Sequence, residues 1–168
     1  MKKPVITMLA LFGLLTMSAQ EVNAGLHLGL PLGETSDLYT FNLTLDVTVL
    51  WEISEDFEAG ATTGLSSNFG DEVESPADIS PPIMEKVDDA MFLPIAGTAR
   101  YEITEAFTLG VDLGYAIGLA PSSNDGGFYF APRAQYDIAD DLDIVLSYRG
   151  ISNDGTFSVL NLGVEYEF

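Results

Sequence analysis

Residues 41–53 read FNLTLDVTVLWEI, a stretch in which apolar side chains alternate with mostly polar ones. The odd-numbered positions are all apolar, from Phe41 to Ile53. A period of two held over this length is typical of a β-strand with one apolar face and one polar face. The polar face carries Asn42, Thr44, Asp46, Thr48, Leu50 and Glu52.

The same alternation recurs in residues 107–119 and 159–168. Weaker versions cover residues 26–32, 57–65, 93–103, 128–138 and 142–148, which brings the predicted strands to eight. Beyond the N-terminal segment, no stretch approaches the roughly 20 apolar residues of a membrane helix. If the chain crosses a membrane, it must therefore do so with strands closed into a barrel.

The N-terminus predicts a secretory signal peptide over residues 1–24. Lys2 and Lys3 precede an apolar run over residues 4–17, and small residues follow it. Cleavage after Ala19 or after Ala24 fits this pattern, and residues 25–168 are then one barrel domain. The apolar run is short for a retained membrane anchor.

The charge and the cysteine content of the chain exclude some possible functions. Removing the two N-terminal lysines leaves four basic residues, Lys86, Arg100, Arg133 and Arg149, against 26 acidic ones. So acidic a chain is not expected to bind nucleic acid. The absence of cysteine excludes a disulfide framework and a thiolate metal site.

An internal repeat joins the predicted strands. Residues 51–57, 101–107 and 136–142 each run through an aromatic residue, an acid, Ile, a tight polar turn and an apolar residue, and residues 166–168 repeat the first half. Four strands therefore end at one level, where three turn back. The opposite connections, 33–38, 66–90, 120–127 and 150–156, are longer. This asymmetry predicts an all-β, eight-stranded antiparallel up-and-down transmembrane barrel with short periplasmic turns and longer extracellular loops.

Aromatic residues collect at the strand ends, as expected of girdles at two membrane interfaces. The set predicted at the turn level is Trp51, Phe57, Tyr101, Phe107, Tyr136, Tyr166 and Phe168. The set nearer the other level is Tyr39, Phe41, Phe92, Tyr115, Phe128, Tyr148 and Phe157.

Charge usage decides which face looks outward, because a soluble lipocalin-like barrel has the same period with its faces exchanged. No lysine lies in a predicted strand, and every arginine falls on the polar phase together with acids. We therefore predict a packed polar lumen in which Arg133 and Asp112 are the first expected pair. The predicted lumen charge network is Asp46, Glu58, Arg100, Asp112, Arg133, Asp143, Arg149 and Glu165.

The last strand carries a resemblance. Leu160, Leu162, Val164, Tyr166 and Phe168 resemble the C-terminal signal by which the barrel-assembly machinery recognises outer-membrane proteins. The whole exported chain is similar to the small OmpA/OmpX-like barrels of the porin family. The resemblance implies a monomer in the outer membrane of a Gram-negative bacterium, in contact with lipid and lipopolysaccharide.

Several functions fit such a barrel. The leading prediction is a non-enzymatic scaffold that displays surface loops and has a lumen filled with side chains, without a cofactor. The alternative is a narrow channel for small or apolar solutes, as in OmpW-like barrels, although open pores generally need more strands. A lipid A-modifying enzyme would need a catalytic histidine, and His27 is the only one. Its simpler interpretation is a lumen residue bonded to a carboxylate.

The long loop 66–90 is rich in acids and contains three prolines. Its acids could bind a divalent cation such as calcium through oxygen ligands, but no EF-hand spacing is present and acidic runs are usually solvated. The candidate metal ligands are Asp71, Glu72, Glu74 and Asp78. The charge of this loop argues against adhesion to acidic surfaces.

Overall fold

The computed structural model describes residues 20–74, 84–153 and 155–168. Most of the predicted signal peptide lies outside these residues, as does the candidate ligand Asp78. The side chain of Glu74, another candidate, is also outside the description.

Eight long strands and one short hairpin make up the described chain. The long strands are β1 (Gln20–Leu32), β2 (Tyr39–Ser54), β3 (Phe57–Gly70), β6 (Ala90–Thr104), β7 (Phe107–Ala120), β8 (Gly127–Ala139), β9 (Leu142–Ser152) and β10 (Thr156–Glu167). The hairpin strands are β4 (Glu72–Glu74) and β5 (Met84–Lys86), and a 3₁₀ turn covers Gly33–Asp37. None of the described residues form a helix long and apolar enough to cross a membrane.

The long strands close into an antiparallel barrel in the order β1-β10-β9-β8-β7-β6-β3-β2. Closure comes from the pairing of the first strand with the last, which runs from Asn23 opposite Glu167 to Leu32 opposite Ser158. Because every strand has two neighbours, no edge of the barrel is left unpaired. The predicted eight-stranded up-and-down barrel is confirmed.

Strand lengths depart from the predicted ones at both ends of the barrel. β1 begins at Gln20, opposite Trp51, six residues before the apolar period starts. The predicted loop 66–90 is shorter, because β3 continues to Gly70, β6 starts at Ala90, and β4 pairs with β5 between them. The strands extend beyond the alternating sequence because the hydrogen bonds between strands join backbone groups and do not depend on the side chains.

The two ends of the barrel are built differently. We call the end with residues 55–56, 105–106, 140–141 and the C-terminus the turn end, and the opposite one the loop end. Each two-residue turn accepts a hydrogen bond from the next descending strand; for example, the Glu102 amide donates to the Asp56 carbonyl at 2.9 Å. The Phe168 amide donates to the Val22 carbonyl at 3.0 Å. The turn end is therefore a continuous hydrogen-bonded rim.

The apolar phase of the strands faces outward. Leu28 and Leu162, on paired strands, are 62% and 58% exposed, and outward leucines, isoleucines and valines continue around the barrel. This is the arrangement of a barrel whose outer surface meets lipid, and it is the reverse of a soluble barrel with an apolar interior.

The predicted aromatic sets are only partly at the outer surface. At the turn end, Trp51, Tyr101, Tyr136, Tyr166 and Phe168 are exposed, while Phe57 and Phe107 are half-buried opposite Tyr101 and Tyr136. At the loop end the prediction of an outward set was wrong for Tyr39, Phe92 and Phe157. Phe92 is buried, and its ring lies against that of Phe157, which also contacts Tyr39. Phe92 and Phe157 lie on the inward phase of their strands, and an irregularity between Tyr39 and Phe41 shifts the register at Tyr39.

Candidate functional site: the lumen

Charged side chains meet in the middle of the lumen. Arg100 Nη2 lies 2.6 Å from Glu165 Oε1, and Arg133 Nη2 contacts Glu165 Oε2. Arg133 Nη1 lies 3.9 Å from Oδ2 of Asp112, its predicted partner. All four side chains are buried. Glu165 therefore joins two arginines, and Asp112 is the more distant carboxylate of Arg133.

A second group of charges lies beside the first. Asp46 Oδ2 is 2.7 Å from Arg149 Nη2 and 3.2 Å from Nε2 of the fully buried His27. Two glycines make room for these side chains. A Cβ at Gly163 would collide with the His27 ring, and one at Gly25 would collide with Asp46 and His27. His27 thus has a carboxylate partner and occupies space that is left free because two glycines have no side chain.

The two groups together form a balanced set. Three arginines and three carboxylates are buried within contact distance of one another, so each buried charge has an opposite charge beside it. We call this set the charge cluster: Asp46, Arg100, Asp112, Arg133, Arg149 and Glu165.

One trio of side chains in the described part of the chain brings metal-ligating atoms within 4.8 Å of one another, and it lies in this cluster: His27, Asp46 and Glu165. Both carboxylates already contact guanidinium groups. A metal ion there would face the arginines as well, so the charges present do not fit a cation.

The loop-end half of the lumen is filled by uncharged groups, which are polar side chains on β2 and β3 and a buried apolar cluster on β6, β7 and β8. The Asn42 amide donates to Ser66 Oγ and Asn68 Oδ1, both at 2.8 Å. Thr44 donates to Asn42 Oδ1 at 2.9 Å. All four side chains are buried. They form a hydrogen-bonded layer across neighbouring strands that leaves little room for water.

Beyond this layer, aromatic rings close the loop end. The Phe157 ring lies 5.4 Å from that of Phe92 and 5.1 Å from that of Tyr39. We call the hydrogen-bonded layer the polar layer, and the cavity between it, the two phenylalanine rings and Arg149 measures about 10 Å³. A space of this size holds about one water molecule. We call these three rings the aromatic lid.

The turn-end half is open by contrast. A cavity of about 380 Å³ reaches from the turn-end rim to Arg100, and ten of the fifteen residues that line it are Asp or Glu. Arg100 is its one basic residue. We call it the acidic vestibule, and the acids on its strands include Glu52, Glu58, Glu102, Asp137, Asp143 and Glu167.

The internal repeat explains this ring of acids. In each copy the aromatic residue faces outward, so the acid that follows it faces the lumen. Glu52, Glu102, Asp137 and Glu167 are these four acids, and all of them line the vestibule. Their common level follows from the same repeat that sets the level of the aromatic residues.

Two members of the predicted lumen network belong to the vestibule. Glu58 and Asp143 are half-buried, and the ion pairs of the charge cluster do not include them. Asp143 Oδ2 accepts a hydrogen bond from Gln135 Nε2 at 3.1 Å. Each is the second residue of its strand, β3 or β9, and Glu58 lies directly opposite Arg100 on the neighbouring strand.

The candidate metal ligands of the long loop are only partly described. Asp71 Oδ1 accepts a hydrogen bond from the Glu72 amide at 2.8 Å, and the Asp71 carbonyl accepts one from the Val87 amide at 2.9 Å. These bonds stabilise the start of the β4–β5 hairpin. Cation binding by this loop stays a prediction.

Comparison with known proteins gives a likeness of fold. No family model and no curated protein matches the chain. The outer membrane protein Ail of Yersinia pestis, solved in a phospholipid nanodisc, aligns with a TM-score of 0.58 at 16% identity over 88% of this chain and 99% of that one. A de novo designed transmembrane β-barrel aligns with a TM-score of 0.55 at 11% identity over 88% of this chain and 95% of that one. A crystal structure of Ail aligns with a TM-score of 0.55 at 14% identity over 90% of this chain and all of that one.

These alignments cover nearly the whole of each partner. The chain therefore has the fold of the small eight-stranded transmembrane barrels, natural and designed. At such low identity the likeness extends to architecture and not to loop chemistry.

Proposed function

We propose that this protein is an integral outer-membrane barrel with a closed lumen, which acts as a rigid scaffold for the loops at its loop end. One observation supports this most strongly: the apolar phase of the barrel strands faces outward, while the inside is packed with paired charges, hydrogen-bonded side chains and a small apolar cluster. The outer surface needs lipid, and the packed interior makes the barrel stiff.

In this proposal the turn end faces the periplasm and the loop end faces outward, as the short turns and longer connections suggest. At the loop end, a groove of about 440 Å³ is lined by residues 123–126, by Asn153 and by residues 155–157, with Phe92 also in its wall. A displayed surface of this kind suits recognition of a partner by the loops.

The channel alternative is disfavoured by the packing of the lumen. A solute entering at the turn end would meet the charge cluster, then the polar layer, then the aromatic lid. The space between the last two layers is about 10 Å³, less than even a small solute needs. Opening a path would require breaking buried ion pairs, which is costly.

An enzymatic role has little support in this geometry. The only histidine, His27, is enclosed in the lumen and contacts Asp46. A lipid substrate reaches the barrel from its outer surface, so it would not meet this side chain. We therefore propose a non-enzymatic protein.

In this proposal the protein is exported and assembled as the sequence predicts. Residues 20–24 pair with β2, and Val22 accepts the hydrogen bond of Phe168. Removal of residues 20–24 would cost these contacts, which favours signal-peptide cleavage after Ala19. Recognition of the exposed C-terminal residues by the barrel-assembly machinery, contact with lipopolysaccharide and a monomeric state belong to the same proposal.

Heat-modifiable gel mobility tests the membrane assignment. The protein should sediment with the cell envelope, dissolve in detergent, and migrate faster in an unboiled sample than in a boiled one, because a closed barrel stays compact in dodecyl sulfate. Recovery in the soluble fraction with unchanged mobility after boiling would refute it.

A further inference from the structure

The groove of about 440 Å³ at the loop end, which we call the loop-end groove, has apolar side chains in its lining. Ile151 and Phe157 lie directly opposite each other on β9 and β10, and both are half-buried. They are on the inward phase of their strands, so they face the mouth of the barrel and not the surrounding lipid. Phe92, Ile151 and Phe157 line the small enclosed cavity as well as the groove. These side chains therefore separate the lumen from the groove.

A further apolar side chain comes from a different part of the chain. Leu38 follows the 3₁₀ turn, lines the groove and is 41% exposed. The rest of the lining is mostly polar and includes Ser123, Asn124, Asn153 and Thr156. An apolar surface that is open to water and rimmed by polar residues is typical of a site of interaction.

Hydrogen bonds hold the wall of the groove in one shape. Asn124 Nδ2 donates to the Met91 and Ala120 carbonyls at 3.1 and 3.0 Å. The Gly126 amide donates to Asn124 Oδ1 at 3.1 Å, and the Gly126 carbonyl accepts from Asn153 Nδ2 at 3.1 Å. These bonds tie the loop 120–127 to β6 and to the next loop. A preformed wall loses little conformational entropy when a ligand binds.

Acidic side chains flank the apolar part of the groove. Asp125 lines it, and Asp37 comes directly before Leu38; both acids are exposed. Neither carboxylate takes part in an ion pair within the described part of the chain. The Asp71 amide donates to the Leu38 carbonyl at 2.9 Å, which places a third acid beside the groove.

Few basic side chains are available to compensate these acids. Beyond the predicted signal peptide the chain has four basic residues, and three of them are the buried arginines of the charge cluster. Lys86 is the fourth. The loop-end groove therefore combines an apolar centre with a negative margin, and its complement is an apolar group with positive charges on either side.

The same charge argues against two other occupants. A second copy of this chain would bring the same acids to the groove, and like charges would repel. A lipid chain reaches the barrel at the outward phase of the strands, where Leu28 and Leu162 lie, whereas Ile151 and Phe157 are on the inward phase.

We propose that the loop-end groove docks a basic amphipathic peptide segment of a partner protein. An apolar side chain of the segment enters between Leu38, Ile151 and Phe157, and lysine or arginine side chains on either side of it lie next to Asp37 and Asp125. This inference rests on the proposed display of loops at the loop end, and it names the kind of partner that those loops recognise.

Solution NMR with the blocked pentapeptide Gly-Lys-Phe-Lys-Gly tests this on the refolded barrel in nonionic detergent. The peptide should shift the methyl signals of Leu38 and Ile151 and leave that of the lipid-facing Leu28 unchanged. Two further peptides separate the contributions: Gly-Lys-Gly-Lys-Gly keeps the charges, and Gly-Glu-Phe-Glu-Gly keeps the apolar group. Each should bind at least about tenfold more weakly, since it lacks half of the recognition.

Matched variants of the barrel test the same contacts. Asp37→Asn/Asp125→Asn should weaken binding of Gly-Lys-Phe-Lys-Gly about fivefold, as expected for the loss of two exposed ion pairs. Leu38→Ala should also weaken it, because part of the apolar contact is lost. The control Asp56→Asn/Asp140→Asn removes two exposed acids at the turn end and should keep the wild-type affinity.

Several results would overturn the docking proposal. Equal affinity for the three peptides, or equal loss in the two double variants, would show general attraction to an acidic protein. Shifts confined to lipid-facing methyl groups would show adsorption to the micelle. Concentration-dependent shifts of Leu38 and Ile151 without peptide would assign the groove to a second copy. A barrel with heat-modifiable mobility that binds no peptide refutes docking alone, whereas loss of that mobility refutes the membrane barrel itself.

Discussion

The two halves of the lumen are built from the same eight strands, yet they differ in charge and in access to water. The loop-end half is uncharged and closed, with a hydrogen-bonded layer and the aromatic lid around a cavity of about 10 Å³. The turn-end half is open, acidic and about 380 Å³ in volume. The charge cluster separates them.

This difference shows what each half contributes. The closed half and the charge cluster fix the shape of the barrel and block passage, because their side chains form ion pairs and pack closely against one another. The open half gathers carboxylates around a cavity that water can enter, so its side chains pack less and contribute less to stability. Three substitutions and a change of salt concentration test this division, and their expected effects on stability decrease in that order.

Arg133→Met should have the largest effect on stability. It leaves Asp112 without an arginine contact and Glu165 with only one, inside a buried cluster. Removing one partner of a buried ion pair typically costs about 3–5 kcal/mol. Urea unfolding followed by the fluorescence of Trp51, the only tryptophan, measures it. Adding Asp112→Asn restores the balance of charge and should recover part of the loss. An unchanged urea midpoint for Arg133→Met would contradict the role of the cluster.

Phe92→Ala should come next, because it opens a cavity in the aromatic lid. Phe92 is 4% exposed, and truncating a buried phenylalanine costs about 3–5 kcal/mol, at the lower end here because the lid borders the loops. Phe128→Ala is the control: Phe128 faces outward, and lipid can fill the space that it leaves. The same urea titration compares them. Equal losses would show that the lid is not a packed layer.

Gly163→Ala should have an intermediate effect. Its Cβ would collide with the His27 ring and with the Leu26 carbonyl, and overpacking of this kind typically costs about 1–3 kcal/mol. At Gly97 the nearest atoms to an added Cβ are 3.9 Å away, so Gly97→Ala is the matched control and should be neutral or slightly stabilising. If both variants have the wild-type urea midpoint, His27 is not held as tightly as described.

Salt should have the smallest effect, and it should act through the vestibule. Raising the ionic strength from about 0.01 M to about 0.15 M shortens the Debye length from about 30 to 8 Å and screens repulsion between opposed acids. The barrel should gain less than about 1 kcal/mol, as expected for partly exposed charges. The Glu58→Gln/Asp143→Asn variant removes one acid from each of two pairs that lie opposite each other on neighbouring strands, and it should gain less than the wild type. Asp88→Asn/Asp125→Asn removes two exposed acids at the loop end and should respond as the wild type does. If the wild type and both variants respond equally, the repulsion that salt screens is not between these vestibule acids.

Much of the fold could be predicted from local pattern. Alternation over residues 41–53 and 107–119 placed β2 and β7, and the inward phase of Arg100, Arg133 and Arg149 placed the lumen. The same phase rule would have put Phe92 and Phe157 inside. Their height along the strand alone predicts a girdle position, but the phase decides which face of the sheet a side chain lies on.

The rest depends on closure of the barrel. Glu165 joins Arg100 and Arg133 because β10 lies opposite β6 in the closed barrel and only β9 separates it from β8, and no local pattern records these distances. The vestibule likewise forms only when acids from several strands and turns meet around one axis. β1 starts early because its backbone pairs with β2 from Gln20 onward. The sequence there has no regular alternation of apolar and polar residues that would predict a strand.

Single-channel recording in a planar lipid bilayer tests the closed lumen most directly. The refolded barrel should give no stepwise conductance at moderate voltage, since the charge cluster, the polar layer and the aromatic lid lie in series across the only path. Stable, uniform conductance steps from the folded wild-type protein would contradict the account and would favour a channel.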